Sequence, residues 1–220
     1  MAQPQITLGY WNFRGIAQPI KYVLEYLSLA YVDKKYSHEE ESLWFDVEKR
    51  NLQTIFPNLP YLKDGDFELT ESEAILEYLC LKAGRPEMAQ RSNPKEQGRF
   101  TEARGVVQDL RSDLYNLCYS SSFETEKAGV FSMRIHPRLD RLNKALEKSE
   151  HVVGTISWID FVLFEIISVI GLMDSTQLEK YENLKRHHAQ IAALPAIATY
   201  LTSWRYNPRP VNNPVLAKWA

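Results

Sequence analysis

Residues 5–35 read QITLGYWNFRGIAQPIKYVLEYLSLAYVDKK, and the pattern of this stretch sets the fold of the first part of the chain. Gln5–Tyr10 is apolar and β-favouring, which predicts a strand. From Ile16 to Ser28, the residues Ile20, Val23, Leu24 and Leu27 recur at three- and four-residue intervals. That is the stripe of a helix with one face on a core. Ala30–Lys35 (AYVDKK) predicts a second strand, so the segment reads as a βαβ unit. Tyr10 and Trp11 fall where the first strand hands over to the helix. Packing alone would accept almost any apolar residue there, so a phenol at that point calls for a reason.

Working outward, the charged segment from Ser37 to Asn51 reads as part loop and part short helix. Residues 56–70, FPNLPYLKDGDFELT, follow it. Leu59–Lys63 and Phe67–Leu69 predict two strands around the turn signal Asp64–Gly65. Ser72–Ala83 predicts a helix with Ile75, Leu76, Leu79 and Leu81 apolar, stopped by Gly84 and Pro86. Residues 85–94, RPEMAQRSNP, carry two prolines and little apolar content, and read as a linker. Everything beyond them has helical periodicity. Phe100, Ala103, Val107, Leu110, Leu114 and Leu117 keep the period of one long helix. A second helix is expected over 125–147, bent at Pro137. Ser157–Trp158–Ile159–Asp160 has the form of a capping box with an acidic third residue. No internal repeat or low-complexity tract is present.

The chain has 220 residues, enough for one large domain or two modest ones. With 26 basic and 28 acidic residues, it lacks the basic footprint of a nucleic-acid or anionic-membrane binder. Cys80 and Cys118 lie far apart in helical patterns, with neither a disulfide framework nor metal-ligand spacing. That usage fits a reducing compartment. The first residues lack the basic-then-apolar pattern of a secretory signal. The most apolar segment, Trp158 to Met173, contains Asp160 and Glu165 and is expected to be a buried helix rather than a membrane span.

With these elements in place, the chain resembles the cytosolic glutathione S-transferases, most closely the mu class. The resemblance is carried by GYWNFRG at 9–15, FPNLPYLKDG at 56–65, LTESEAILEY at 69–78, CYSSSFE at 118–124 and SWIDF at 157–161. It implies an α/β thioredoxin-like N-terminal domain followed by an all-α C-terminal domain. The expected division is 1–84 for the glutathione-binding domain, 85–94 for the linker and 95–220 for the helical domain with the electrophile pocket. A thioredoxin redox centre would need Cys-x-x-Cys after the first strand. Tyr10 stands in that place, which disfavours disulfide chemistry.

The resemblance answers the question posed by Tyr10. The family adds the glutathione thiol to electrophiles, and a free thiol has a pKa of about 8.5. A phenol near 10 stays protonated and can donate a hydrogen bond to the thiolate. Such a bond to a charged group is worth roughly 1.5–3 kcal/mol. At about 1.4 kcal/mol per unit, it lowers the thiol pKa by roughly one to two units. The positive end of the following helix adds to this.

The remaining site residues are implied by the same matches. Leu59–Pro60, after Asn58, is expected to be a cis bond, with the Leu59 backbone pairing with the cysteinyl unit of glutathione. Glu71 and Ser72 open a helix whose free amides suit the γ-glutamyl carboxylate, while Glu71 suits its ammonium group. The mu pattern has glutamine where this chain has Glu71. Trp11, Trp44 and Lys49 match positions that hold the rest of the tripeptide, Lys49 at the glycyl carboxylate. The extended mu loop between Tyr36 and Trp44 is missing. Asp109 matches the carboxylate that reaches the ligand from the partner subunit. Gln108, Ser112, Tyr115 and Tyr119 share one face of the long helix. The resemblance puts that face on the electrophile pocket, which Ile16 and Asn213 complete. Tyr119 matches a second tyrosine that can donate to an oxygen developing charge. A polar face implies better tolerance of hydroxylated or carbonyl electrophiles than of flat apolar haloarenes.

A homodimer is expected. Phe56 matches the aromatic that inserts into the partner's helical domain, and Glu77 stands where mu enzymes carry arginine at the two-fold axis. Facing glutamates would repel unless basic groups sit between them. Glutathione is expected as co-substrate and small electrophiles as second substrates. No metal, nucleic acid or membrane partner is expected, and the expected location is cytoplasmic. Two other readings share the glutathione site: an isomerase of the prostaglandin-synthase kind, and a non-catalytic, crystallin-like relative.

Overall fold

A computed structural model of the chain describes residues 6–220. The first strand, β1, spans Ile6–Trp11; its expected start at Gln5 lies outside the described residues. A single 3-10 turn over Gly15–Ala17 precedes α1, Gln18–Tyr26, so the regular helix starts later and stops earlier than the expected Ile16–Ser28. Ser28, expected inside it, has a φ of +55°. β2 spans Tyr31–Tyr36 and runs parallel to β1, with Ile6 opposite Tyr31 and Trp11 opposite Tyr36.

The segment between β2 and the hairpin is helical in short pieces: a 3-10 turn His38–Glu40, a π-helical turn Leu43–Glu48, and α2, Lys49–Asn51. The hairpin strands are β3, Tyr61–Asp64, and β4, Phe67–Thr70. Asp64 pairs with Phe67, so the turn residues are Gly65 and Asp66, one position later than the sequence reading. Leu59 is not in a strand, and the following Pro60 has no amide to give to a ladder. The sheet order is β2-β1-β3-β4, with β3 antiparallel to both neighbours. Gly9 lets the sheet close here: a side chain on it would meet the Tyr61 ring at 2.2 Å.

α3, Ser72–Lys82, buries Ile75, Leu76, Leu79 and Cys80. Leu81, expected in the core, lies one residue off that face and is exposed. The 85–94 segment is more than a tether. Pro86–Met88 forms a 3-10 turn, and Met88 and Ala89 are buried in the core.

The helical part begins with α4, Pro94–Tyr119, capped by the Asn93 side chain, which accepts from the Lys95 amide at 2.8 Å. The single helix expected over 125–147 is instead α5, Phe123–Val130, a π-helical turn Phe131–Ile135, and α6, His136–Ala145. Pro137 cannot donate in an i→i−4 ladder, and the wider turn sits just ahead of it. α7, Trp158–Asp174, is the buried central helix, followed by α8, Glu182–Ala193, and α9, Pro195–Leu201. Its capping box is formed as the sequence predicts: Asp160 accepts from the Ser157 amide at 2.8 Å and hydroxyl at 3.0 Å. Among the described residues no helix is long and apolar enough to cross a membrane.

One hydrophobic core joins sheet and helices: Leu8, Val23, Leu62 and Leu79 continue into Phe100, Leu110, Trp158 and Phe161. A smaller cluster of Tyr10, Ala17, Tyr36, Trp44, Leu52, Leu59 and Tyr61 forms apart from it. The sheet and helices are pinned by a buried ion pair. Arg14 donates to both oxygens of Glu165 on α7, at 3.0 and 2.6 Å, and Tyr22 donates to the same carboxylate at 3.1 Å.

Candidate active site

The smaller aromatic cluster builds the site. Tyr10, next to last in β1, is almost wholly buried, at 7% exposure, with its ring edge-on to Phe13 at 5.5 Å. Gly15, at a φ of +45°, supports the phenol closely: a side chain there would meet the Tyr10 hydroxyl at 2.6 Å. The left-handed backbone and the lack of space both require glycine. Burial holds the Tyr10 phenol well above its ordinary pKa, against the opposing pull of the Ile16 amide; the Tyr119 phenol raises it further and Arg111 lowers it. The group is therefore a protonated donor at neutral pH.

The chain crosses this site three times. Tyr115, on α4, donates to the Gly15 carbonyl at 3.1 Å. The C-terminal segment takes the amides of Arg14 and Gly15 on the carbonyls of Pro210 and Val211, at 3.0 and 2.8 Å. It is also tied to the end of α4, where Lys218 donates through its amide to the Cys118 carbonyl at 2.8 Å. Neither tie was signalled by periodicity, because residues 208–220 have none.

Beside Tyr10, Trp11 is half-buried and packs edge-on to Tyr36 and against Phe45. Trp44 is buried, stacked on Tyr61 at 6.0 Å and tilted against Tyr36. The Tyr36 and Tyr61 hydroxyls share a hydrogen bond of 2.9 Å. Lys49 is half-buried on α2. Leu59–Pro60 is cis, with both residues buried and Asn58 exposed. Arg209–Pro210 is a second cis bond that the sequence reading did not foresee.

Glu71 is the N-cap residue of α3, exposed, with a φ of +70° that few non-glycine residues adopt. Ser72 is then the first residue inside the helix and is buried. The amides of the first turn of α3 have no intrahelical acceptor, an arrangement that suits an anion.

The α4 face splits into parts. Tyr119 accepts from the Asn213 amide at 3.0 Å, which leaves its hydrogen to donate outward. Ile16 packs against the aromatic cluster. Ser112 is exposed. Gln108 has both amide atoms buried without a hydrogen-bond partner among the described residues. Arg111, which the sequence reading did not single out, belongs to the same face. Its position, three after Gln108 and four before Tyr115, was the signal that could have found it.

Residues assigned to the subunit interface lie outside this cluster. Asp109 is exposed on α4 and stands 3.6 Å from Arg138. Phe56 is 71% exposed, while the Thr70 hydroxyl fixes its carbonyl at 2.7 Å. Glu77 has a basic neighbour within its own chain: Arg104 donates to it at 3.3 Å and to Glu73 at 2.5 Å.

Two family models match. The description of one is glutathione S-transferase, N-terminal domain, over residues 6–80, and of the other glutathione S-transferase, C-terminal domain, over 108–204. The chain is 34% identical to glutathione S-transferase B of Cavia porcellus, covering 94% of this chain and 95% of that one. It is 33% identical to glutathione S-transferase Mu 3 of Homo sapiens, covering 99% and 96%. The solved structure of the glutathione S-transferase Blo t 8 superposes with a TM-score of 0.83 at 27% identity, over 96% of this chain and 98% of that one.

Proposed function

The chain belongs to the glutathione S-transferase family, and from that premise we propose that it conjugates glutathione to small electrophiles, with the Tyr10 hydroxyl holding the thiol as thiolate. The observation that carries the role of Tyr10 is its phenol: buried, kept protonated by that burial, and seated on Gly15 where the sheet meets the first helical turn.

The reading of the remaining residues follows the groove. The amides opening α3, with the Ser72 hydroxyl, receive the γ-glutamyl carboxylate. Glu71 and Asp109 of the partner subunit receive its ammonium. Leu59, presented by the Asn58–Leu59–Pro60 turn, pairs through its backbone with the cysteinyl unit. Trp11, Lys49 and the wall that Trp44 stiffens hold the glycyl end. The sulfur then faces Ile16 and α4, where Tyr119 donates to an oxygen that gains charge as the carbon–sulfur bond forms.

Assembly as a homodimer is part of the proposal, because Asp109 serves the neighbouring site. The exposed ring of Phe56 needs an apolar seat, and a cavity of about 500 Å³ lined by Ala103, Val106, Leu142, Ala145 and Val152 offers one. The proposed location is cytoplasmic and the proposed service detoxification; two buried, unbridged cysteines fit a reducing compartment. Relatives at about a third identity are named as transferases, which sets this reading ahead of the isomerase and crystallin-like ones.

The test is direct. Purified protein with glutathione and a panel of a haloarene, an epoxide and an enone forms conjugate above the uncatalysed rate. Glutathione binding with no conjugate from any of the three would give the non-catalytic reading instead.

A further inference from the structure

We infer that Arg111 and Gln108 form an anion-accepting subsite in the electrophile pocket, which selects electrophiles that carry a carboxylate. The inference rests on the transferase reading above and names the substrate class of that same site.

The polar groups of the α4 face are unequally satisfied. Tyr115 gives its hydrogen to Gly15, and Tyr119 takes the amide of Asn213. One turn earlier, Gln108 Nε2, Gln108 Oε1 and Arg111 Nη1 are all buried with no partner among the described residues. Arg111 is mostly buried, with 14% of its side chain exposed. Its nearest acid is Glu73, whose Oε1 stands 3.8 Å from Nη2, beyond hydrogen-bond reach. The other oxygen of Glu73 is already taken by Arg104 at 2.5 Å.

A buried arginine that serves only as a strut presents its fork to a carboxylate and closes both prongs, as Arg14 does on Glu165. Arg111 leaves a prong open. A buried unmet donor is costly, and more so when it is charged. Burial depresses the pKa of this guanidinium, while Tyr115, Glu73 and Tyr10 oppose that fall in this order. The last relation is reciprocal, since Arg111 also pulls the Tyr10 phenol down. The unmatched cation therefore lies in the neighbourhood of the reacting phenol. Nη1 and Gln108 Nε2 lie three residues apart on one face of α4 and are its unmet donors among the described residues, the number that a carboxylate accepts. The γ-glutamyl carboxylate already has the opening amides of α3, so the group that completes Arg111 is assigned to the second substrate.

The experiment uses para-chloro-meta-nitrobenzoate and its methyl ester. In both, the glutathione sulfur bonds to the ring carbon that carries chlorine, and chloride leaves with the bonding pair. The ratio of kcat/KM for acid over ester is measured at saturating glutathione. A charge-assisted bond predicts a ratio of about tenfold or more in the unmodified protein. With each ratio divided by that of the uncatalysed reactions, Arg111→Leu collapses it toward unity, Arg111→Lys retains part of it, and Gln108→Leu lowers it. Where Arg111→Leu yields no folded protein, Gln108→Leu and Arg111→Lys carry the comparison. An unchanged ratio in the variants overturns the inference. So does a rise in the KM for glutathione that is equal with both electrophiles, since Arg111 would then serve the tripeptide. Calorimetric binding of the two finished conjugates repeats the comparison without turnover. If neither electrophile is converted, the transferase reading passes to the epoxide and enone of the panel above, while binding still decides the subsite: preference for the carboxylated conjugate, lost in Arg111→Leu, supports it, and equal binding overturns it.

Discussion

The hydroxyl of Tyr115 donates to the carbonyl of Gly15 at 3.1 Å, so the long helix grips the loop on which the Tyr10 phenol rests. Substituting that glycine strains a φ of +45° and drives a methyl group against the Tyr10 hydroxyl. A displacement of about 1 Å at a reacting group costs on the order of a hundredfold. Gly15→Ala is predicted to lower kcat/KM by about that factor, with about 1–3 kcal/mol of backbone strain. Steady-state kinetics beside a denaturation curve would check it, and unmodified kcat/KM would remove the loop from the mechanism.

Phe56→Ser is predicted to shift the protein from dimer to monomer. Burying a phenylalanine ring contributes about 1.5–3 kcal/mol, twice over in a symmetric pair. The dissociation constant then rises by about a hundredfold or more, read by sedimentation across micromolar concentrations. Glutathione affinity falls in step, because Asp109 of the partner subunit is lost from the site. An unchanged dimer would refute the seat proposed for Phe56.

Acid stability is predicted to depend on Asp160. The carboxylate is fully buried, which alone would raise its pKa. The His151 imidazole 3.7 Å away, with hydrogen bonds from His187 at 3.0 Å and from the Val152 amide at 3.0 Å, holds it well below the usual carboxylate range. Its contribution is thus complete above the unfolded value of about 3.9 and is lost as pH falls through the lower folded value. His151 is raised by the Asp160 carboxylate 3.7 Å away, against the effect of burial. Its contribution is complete below the unfolded value of about 6.5 and is lost as pH rises through the higher folded value. Both contributions coexist between about pH 4 and 6.5. Asp160→Asn is predicted to cost about 3–5 kcal/mol there and to flatten the acid limb. A variant that parallels the unmodified pH curve would contradict this.

Cys80 and Cys118 are predicted to be inert in the folded protein. Both are buried, and burial pushes each thiol up to about 12, so almost no thiolate exists at neutral pH. A disulfide reagent should titrate no thiol in buffer and both in denaturant. Rapid native labelling of Cys118 would show that the end of α4 opens.

The order of elements was legible because each carries its own period. Leu8 with Leu62, and Ile20 with Leu79, reach the core that their spacing predicts. The groove residues were legible as motifs, and Tyr10, Leu59 and Trp44 do meet in one cluster. What escaped depends on partners distant in sequence. Arg14 reads as a loop charge until Glu165, 151 residues away, closes on it. Glu77 reads as a liability until Arg104 stands beside it. Arg111 reads as solvated because α4 is polar along its length, and only the packing around it shows how little water reaches it. The π-helical turn before Pro137 escaped for a different reason: a proline marks where a ladder fails, not how the chain accommodates it.

The central claim is that the Tyr10 phenol donates to the thiolate of bound glutathione. Ultraviolet titration of the bound thiol, in the unmodified protein and in Tyr10→Phe, tests it most directly. The bound thiol is predicted to titrate roughly one to two units below a free thiol, and Tyr10→Phe to return it upward by about the same amount. Equal thiol pKa values in the two proteins would contradict the account.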